Sequence, residues 1–160
     1  MKRYQAAGGA GDQPGLVRRL APESEPRPPV ARPAADGSVM LQAFQATTHG
    51  ETLRYEPQWY KNTVGYWTMP GDYAEWNLVI DQPGTFSVAV LQGCGGGHGG
   101  SEAAISLHGD EGSVAELTFE VLDTGHFQNF RWRSVGFVAI DQPGEYRLRI
   151  TPKRIAKAAL

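Results

Sequence analysis

Gly71-Asp72-Tyr73-Ala74-Glu75-Trp76-Asn77-Leu78-Val79-Ile80 decides the fold class. Beyond the turn residues Pro70-Gly71-Asp72, Ala74, Trp76, Leu78 and Ile80 alternate with Glu75, Asn77 and the less polar Val79. A period of two belongs to a strand with one buried face. The same alternation runs without a slip through Glu145-Tyr146-Arg147-Leu148-Arg149-Ile150-Thr151. Leu117, Phe119 and Val121 alternate with Glu116, Thr118 and Glu120, and Ala103, Ile105 and Leu107 with Glu102 and Ser106. Phe86, Val88 and Val90 form one further face. Pro83-Gly84, Gly109-Asp110-Glu111-Gly112 and Pro143-Gly144 punctuate these runs, and no window carries a long helical stripe. Short strands with one polar face each predict an all-β protein, an antiparallel two-sheet β-sandwich.

One element repeats. Ile80-Asp81-Gln82-Pro83-Gly84-Thr85-Phe86 returns as Ile140-Asp141-Gln142-Pro143-Gly144-Glu145-Tyr146. Each copy reads as strand, tight Pro-Gly turn of type II, strand, which predicts equivalent hairpins on opposed sheets. Two copies do not make a solenoid.

Composition divides the chain near residue 38. The 160 residues include 16 aromatics (Trp 4, Tyr 6, Phe 6), of which only Tyr4 precedes Val39. Pro14, Pro22, Pro26, Pro28, Pro29 and Pro33 crowd the same early stretch. So few large apolar side chains cannot offset the entropy of ordering, and residues 1–38 are expected to be a disordered Pro/Gly/Ala-rich tail or linker. Residues 39–160 are the expected β-sandwich domain. The start lacks the apolar stretch of a secretory signal, so no export signal is expected within the chain. A net charge of −2 argues against nucleic acid. No apolar run reaches the length of a membrane-spanning helix. A single Cys excludes an intrachain disulfide and a four-Cys zinc site.

Few residues suggest chemistry. Gln92-Gly93-Cys94-Gly95-Gly96-Gly97-His98-Gly99-Gly100-Ser101 lacks the Lys and following helix of a phosphate loop, and reads as a mobile connection between strands. Cys94 has no electropositive neighbour to activate it. His49, His98, His108 and His126 show no ligand spacing, so no metal or other cofactor is expected. Turns and solvent-facing strand positions account for the carboxylates. The aromatics say more: Tyr55, Trp59, Tyr60, Tyr66, Trp67, Tyr73 and Trp76 crowd one region, and Phe127, Phe130 and Trp132 another. Rings beside amide and acid groups suit a sugar, since a ring packs on its C–H face while polar groups take its hydroxyls. Trp76 and Phe130 are expected in the core.

These stretches resemble a known family. Val64-Gly65-Tyr66-Trp67, Gly71-Asp72-Tyr73-Ala74-Glu75-Trp76, Pro83-Gly84-Thr85-Phe86, Phe127-Gln128-Asn129-Phe130 and Gly144-Glu145-Tyr146 are similar to motifs of family 6 carbohydrate-binding modules. A closer resemblance, over residues 41–160, is to an accessory domain of secreted planctomycete-type bacterial proteins, often attached to sulfatase-like or glycoside-hydrolase-like domains. It rests on Leu53-Arg54-Tyr55-Glu56-Pro57, Lys61–Thr68, Leu91–Gly95 and Asp123–Phe130. The resemblance implies a galactose-binding-like jelly roll, an extracytoplasmic or secreted location and a non-catalytic role on carbohydrate. The sandwiching aromatics of the modules map onto Tyr66 and Phe127, with Trp67, Asp72, His126 and Asn129 as the further candidate ligand-binding residues. Their N-terminal acidic pair for calcium is absent from Leu41-Gln42-Ala43-Phe44-Gln45-Ala46, and Cys94-Gly95-Gly96-Gly97 lacks the C/S-x-P-x-R motif of a sulfatase. The family continues past Ala156–Leu160, so the resemblance also implies that the final strand is missing. A strand-donating protein partner could fill that gap, and weak stability or self-association is expected. Two other readings stand beside sugar binding. One is a structural domain docking on a catalytic partner, marked by an apolar sheet face and buried loop aromatics. The other is a small enzyme using the Gly93–Gly100 loop with His126 and Asp123.

Overall fold

The computed structural model describes residues 27–157, so most of the expected tail lies outside the described residues. Ten strands and one 3-10 turn (Ala43–Gln45) build the protein, with no α-helix among the described residues. The main sheet has the order β1 (Val30–Ala31), β5 (Tyr73–Ile80), β10 (Gly144–Arg154), β7 (Glu102–Gly109) and β8 (Gly112–Glu120). Short β2 (Thr47–His49) pairs with β5 as well. The opposing layer consists of two separate ribbons. One is β6 (Gly84–Cys94) with β9 (His126–Ile140), and the other is the hairpin β3 (Arg54–Glu56) with β4 (Thr63–Gly65). Every pair is antiparallel except β1 with β5. The all-β sandwich is therefore the observed fold.

Alternation places the core where the sequence indicates. Ala74, Trp76, Leu78 and Ile80 are all buried, while their β5 neighbours Tyr73, Glu75, Asn77 and Val79 are half-exposed. On the outer face Arg149 sits opposite Glu75 in the ladder, donates to its Oε2 from Nη2 at 2.9 Å and lies over the Tyr73 ring. Such a cross-strand pair adds a few tenths of a kcal/mol and helps hold register.

Two expectations need correction. Val30 and Ala31, inside the stretch read as disordered tail, form β1 instead, and Ala31 is buried with Leu78 and Ile80. Their flanking prolines are compatible with a two-residue edge strand, which needs few donors. The Ile-Asp-Gln-Pro-Gly echoes are not hairpins within a sheet. The first carries the chain from β5 across to β6, and the second returns it from β9 to β10. Ile80 pairs with Gly144 and Gly84 with Ile140, so the two crossings lie side by side and antiparallel at one end of the sandwich. Each bends between layers, and Gly84 does not take the positive φ of a type II turn.

The interior is unevenly covered. Beneath β6 and β9, Ile105, Phe119 and Val121 pack into a buried cluster with Cys94 and Ala103 and form part of the groove's floor. Beneath the space between β6 and β4, Leu148 and Ile150 on the central strand β10 are only half-buried. A groove of about 1370 Å³ opens there, running between the sheets past Leu78, Val88, Val90, Leu148 and Ile150.

Candidate functional site

Strand directions locate the groove's ends. The start of β5, the end of β6 and the start of β9 share one end, since the chain crosses from β5 to β6 and from β9 to β10 at the other, and Cys94 pairs with His126. Tyr66 and Trp67, on the segment joining β4 to β5, and His126 and Phe127, at the start of β9, all line the groove there. Two distant stretches thus line the same end of one groove.

The Tyr66 wall is built on Asp72. Its carboxylate is 1% exposed and accepts from the backbone N–H groups of Glu51, Thr52 and Leu53 at 2.8, 2.9 and 2.8 Å. The Thr52 hydroxyl lies 3.0 Å both from Asp72 Oδ2 and from the Tyr66 carbonyl oxygen. Burial pushes the Asp72 carboxyl up, and these donors more than reverse it, holding it at about 2. Gly50, at φ +119°, is required beside it, because a Cβ there would fall 1.9 Å from Asp72 Oδ1. Tyr66 itself has φ 65°, a left-handed conformation that a bulky residue adopts only when its surroundings hold it there. Its ring is 44% exposed, and the Arg54 guanidinium sits 3.5 Å from the ring centroid. One face of Tyr66 is therefore covered by Arg54. Trp67 turns inward, packs against the cluster of Leu53, Ala74 and Trp76, and donates Nε1–H to the Val64 carbonyl.

The Phe127 wall is built on glycine. The Gly93–Gly100 segment, expected to be a mobile connection, is packed closely against residues 123–127. A Cβ on Gly93 would lie 2.3 Å from the Phe127 carbonyl oxygen, one on Gly95 2.5 Å from Phe127 Cε2, and one on Gly99 2.7 Å from the Asp123 amide nitrogen. Asp123 accepts from the N–H groups of Gly97 and Gly125, which lower its carboxyl below the ordinary value. Thr124 bonds Cys94 through both its hydroxyl and its backbone N–H. Glycine serves here for close approach rather than for mobility. Phe127 is 46% exposed, with the His98 ring 5.3 Å away.

The other candidates take different places. Asp72 supports the rim without facing it, because its acceptors are occupied in the interior. Asn129 donates from Nδ2 to the Thr124 carbonyl and holds the turn before β9. His126 is exposed on the groove, with Nδ1 accepting from the Gln128 N–H. No hydrogen bond joins Asp123 to His126, which speaks against the proton relay of the enzyme reading. Cys94 is buried, and burial followed by the Asp123 charge pushes its thiol up, away from nucleophilic character. No cluster of metal-ligating side chains occurs among the described residues. Trp76 is core as expected, its Nε1–H donating to the Gln42 carbonyl. Arg54 and His98, which flank the two rim rings, were not identified from sequence. Each is placed by register or loop packing that local pattern does not encode.

No protein-family model matches the chain, and no curated protein matches it. Among solved structures it is similar to a family 35 carbohydrate binding module from Clostridium thermocellum. The TM-score is 0.54, with 20% identity, covering 71% of this chain and 85% of that one. At that identity the likeness is one of fold. The chain shares the β-sandwich architecture of that structure.

Proposed function

We propose that this protein is a non-catalytic carbohydrate-binding domain whose ligand sits at the rim between Tyr66 and Phe127. The observation that supports this reading is that two half-exposed rings, from chain segments some 60 residues apart, both line one end of an open groove. A pyranose ring stacks its C–H face on such surfaces, and the exposed His126 and neighbouring Gln128 offer polar groups for its hydroxyls. Arg54 fixes the Tyr66 ring in place, which lowers the entropy lost on binding. The fold shared with a carbohydrate-binding module supports the assignment. The resemblance to accessory domains of secreted proteins further suggests an extracytoplasmic setting and a catalytic partner domain.

Affinity electrophoresis in gels containing a panel of plant, algal and animal polysaccharides tests the site. Tyr66→Ala and Phe127→Ala are each expected to weaken retention about tenfold, roughly 1.4 kcal/mol. Wild-type retention by both variants removes the rim from the binding site.

A second reading, docking on a catalytic partner without sugar, draws on one feature. Leu91 pairs with Trp132 in the β6–β9 ribbon, where both also line the groove, and Leu91, Trp132 and Phe137 are 49, 58 and 66% exposed. The rim rings, however, are not buried as that reading requires. Trp132→Ser in the same gels separates the two: sugar binding at the rim survives it.

A further inference from the structure

Trp59 and Tyr60 form the tip of the β3–β4 hairpin, outside the groove, and are 91% and 50% exposed. On the premise that the rim binds sugar, we infer that the ligand is a glycan chain of three or more sugars rather than one terminal sugar. It runs from Tyr66 along the hairpin to a second ring platform on Trp59. A single exposed ring on a loose loop carries no meaning. This one is held in place. The Lys61 and Asn62 N–H groups both donate to the Gln58 carbonyl, at 2.8 and 2.9 Å. Asn62 takes a left-handed φ of 42°, and its Oδ1 accepts from the Tyr55 hydroxyl at 2.9 Å. Lys61 Nζ donates to Glu56 Oε1 at 2.6 Å. Tyr60 meets Trp59 edge-on, with ring centroids 5.7 Å apart and planes at 85°. A turn fixed at this many points presents its indole with little left to order on binding.

The tip and Tyr66 stand at the two ends of one short strand. β4 spans Thr63–Gly65, about 10 Å, so Asn62 before it and Tyr66 after it are further apart than one pyranose ring reaches. Polar groups fill the interval. Lys61, Asn62 and Thr63 line the groove together with Tyr66. The Glu56 hydrogen bond raises the Lys61 ammonium against partial burial, and the Tyr66 and Tyr60 phenols add to it, so the ammonium stands near both rings. Glu56 takes one of the three ammonium donors, and Asn62 Nδ2 has no protein partner among the described residues. Donors set between flat rings suit a chain of sugars, whose faces stack on the rings while its hydroxyls meet the donors. A Trp–Tyr tip also suits a lipid interface, but an anionic membrane draws clustered free cations, and Lys61 is paired with Glu56.

The test uses the full 160-residue chain and its variants Trp59→Ala, Tyr66→Ala and Phe137→Ala, the last an exposed ring on β9 that does not line the groove. Affinity gels of xylan, mixed-linkage β-glucan, pectin and chondroitin sulfate select the polymer, and calorimetry with its own di- and hexasaccharides reads the affinity. The wild type is expected to bind the hexasaccharide more tightly than the disaccharide. Trp59→Ala is expected to lose about fivefold on the hexasaccharide, the scale of one ring contact, with its Tm and its disaccharide affinity unchanged. Tyr66→Ala is expected to lose on both lengths and Phe137→Ala on neither. Equal wild-type affinity for the two lengths overturns the inference. Wild-type hexasaccharide binding by Trp59→Ala also overturns it, and a loss in Tyr66→Ala then leaves the rim standing alone. An equal loss in Phe137→Ala overturns it as well, because exposed rings then act regardless of position. Retention of no polymer, with Trp59-dependent binding to vesicles of phosphatidylcholine and phosphatidylserine, assigns the tip to lipid and overturns it. Wild-type binding by both Tyr66→Ala and Phe127→Ala removes the rim, and with it the chain that starts there.

Discussion

The two walls of the rim are each organised around one aspartate, and they differ in what surrounds it. Asp72 is buried and gathers donors from three consecutive residues about 20 positions earlier. Asp123 is exposed and holds two glycine N–H groups in the loop it belongs to and the one facing it. In the first wall the polar network itself carries the conformation, and Tyr66 is held in a left-handed backbone state by it. In the second, backbone contact does that work and the carboxylate adds little. Two loops that present equivalent rings can thus fail in different ways.

An effect as large as any is expected at Asp72. Asp72→Ala removes the acceptor for three backbone N–H groups, leaving that of Leu53 buried and those of Glu51 and Thr52 part-buried without it, which costs about 3 kcal/mol. Urea unfolding of the variant checks this. A loss below 1 kcal/mol would mean water replaces the carboxylate easily and the wall is not built on it.

Legibility follows the same division. The alternation in β5 and β10 was readable because a strand's inward and outward positions are set within a few residues, and Trp76, Leu78 and Ile80 fall where period two puts them. The role of Asp72 was not, because its partners are main-chain groups of Glu51, Thr52 and Leu53, whose side chains say nothing of it. The meaning of Gly93 and Gly95 was hidden for a related reason. A glycine run looks alike whether it moves freely or lies against another backbone, and only the position of Phe127 decides. Val30 and Ala31 escaped because two residues are too short a window for periodicity. The rim pair was legible only through resemblance, since nothing in the spacing of Tyr66 and Phe127 brings them to one end.

Glycine to alanine sharpens the contrast between walls. Gly93→Ala places a methyl 2.3 Å from the Phe127 carbonyl oxygen, a backbone atom that cannot swing aside. The strand must shift, at a cost of about 3 kcal/mol. Gly71→Ala, beside Asp72, meets nothing within 4 Å at ordinary φ, and is expected to change stability by less than about 0.5 kcal/mol. Thermal unfolding of both variants checks the pair. Equal losses would show that the glycine-built wall yields as readily as open surface, and the packing account of it would fail.

Acid titration, with an effect smaller than those of Asp72→Ala and Gly93→Ala, separates the two aspartates most directly. The Asp72 carboxyl stands at about 2 in the folded protein against an ordinary 3.8. A depressed acid favours the folded state wherever it is ionised there, so its contribution is full above about pH 4 and is lost as pH falls through about 2. The difference corresponds to about 2 kcal/mol. Asp123 is depressed too, but it is exposed, and solvent screens what its two N–H partners provide. Stability measured by urea unfolding between pH 5 and 2 is therefore expected to fall steeply in the wild type. The slope should persist in Asp123→Asn and flatten in Asp72→Asn, which starts lower and has less to lose. Were Asp123→Asn the variant that flattened it, the exposed carboxylate would be the one supporting its wall, and the contrast between the two loops would be reversed.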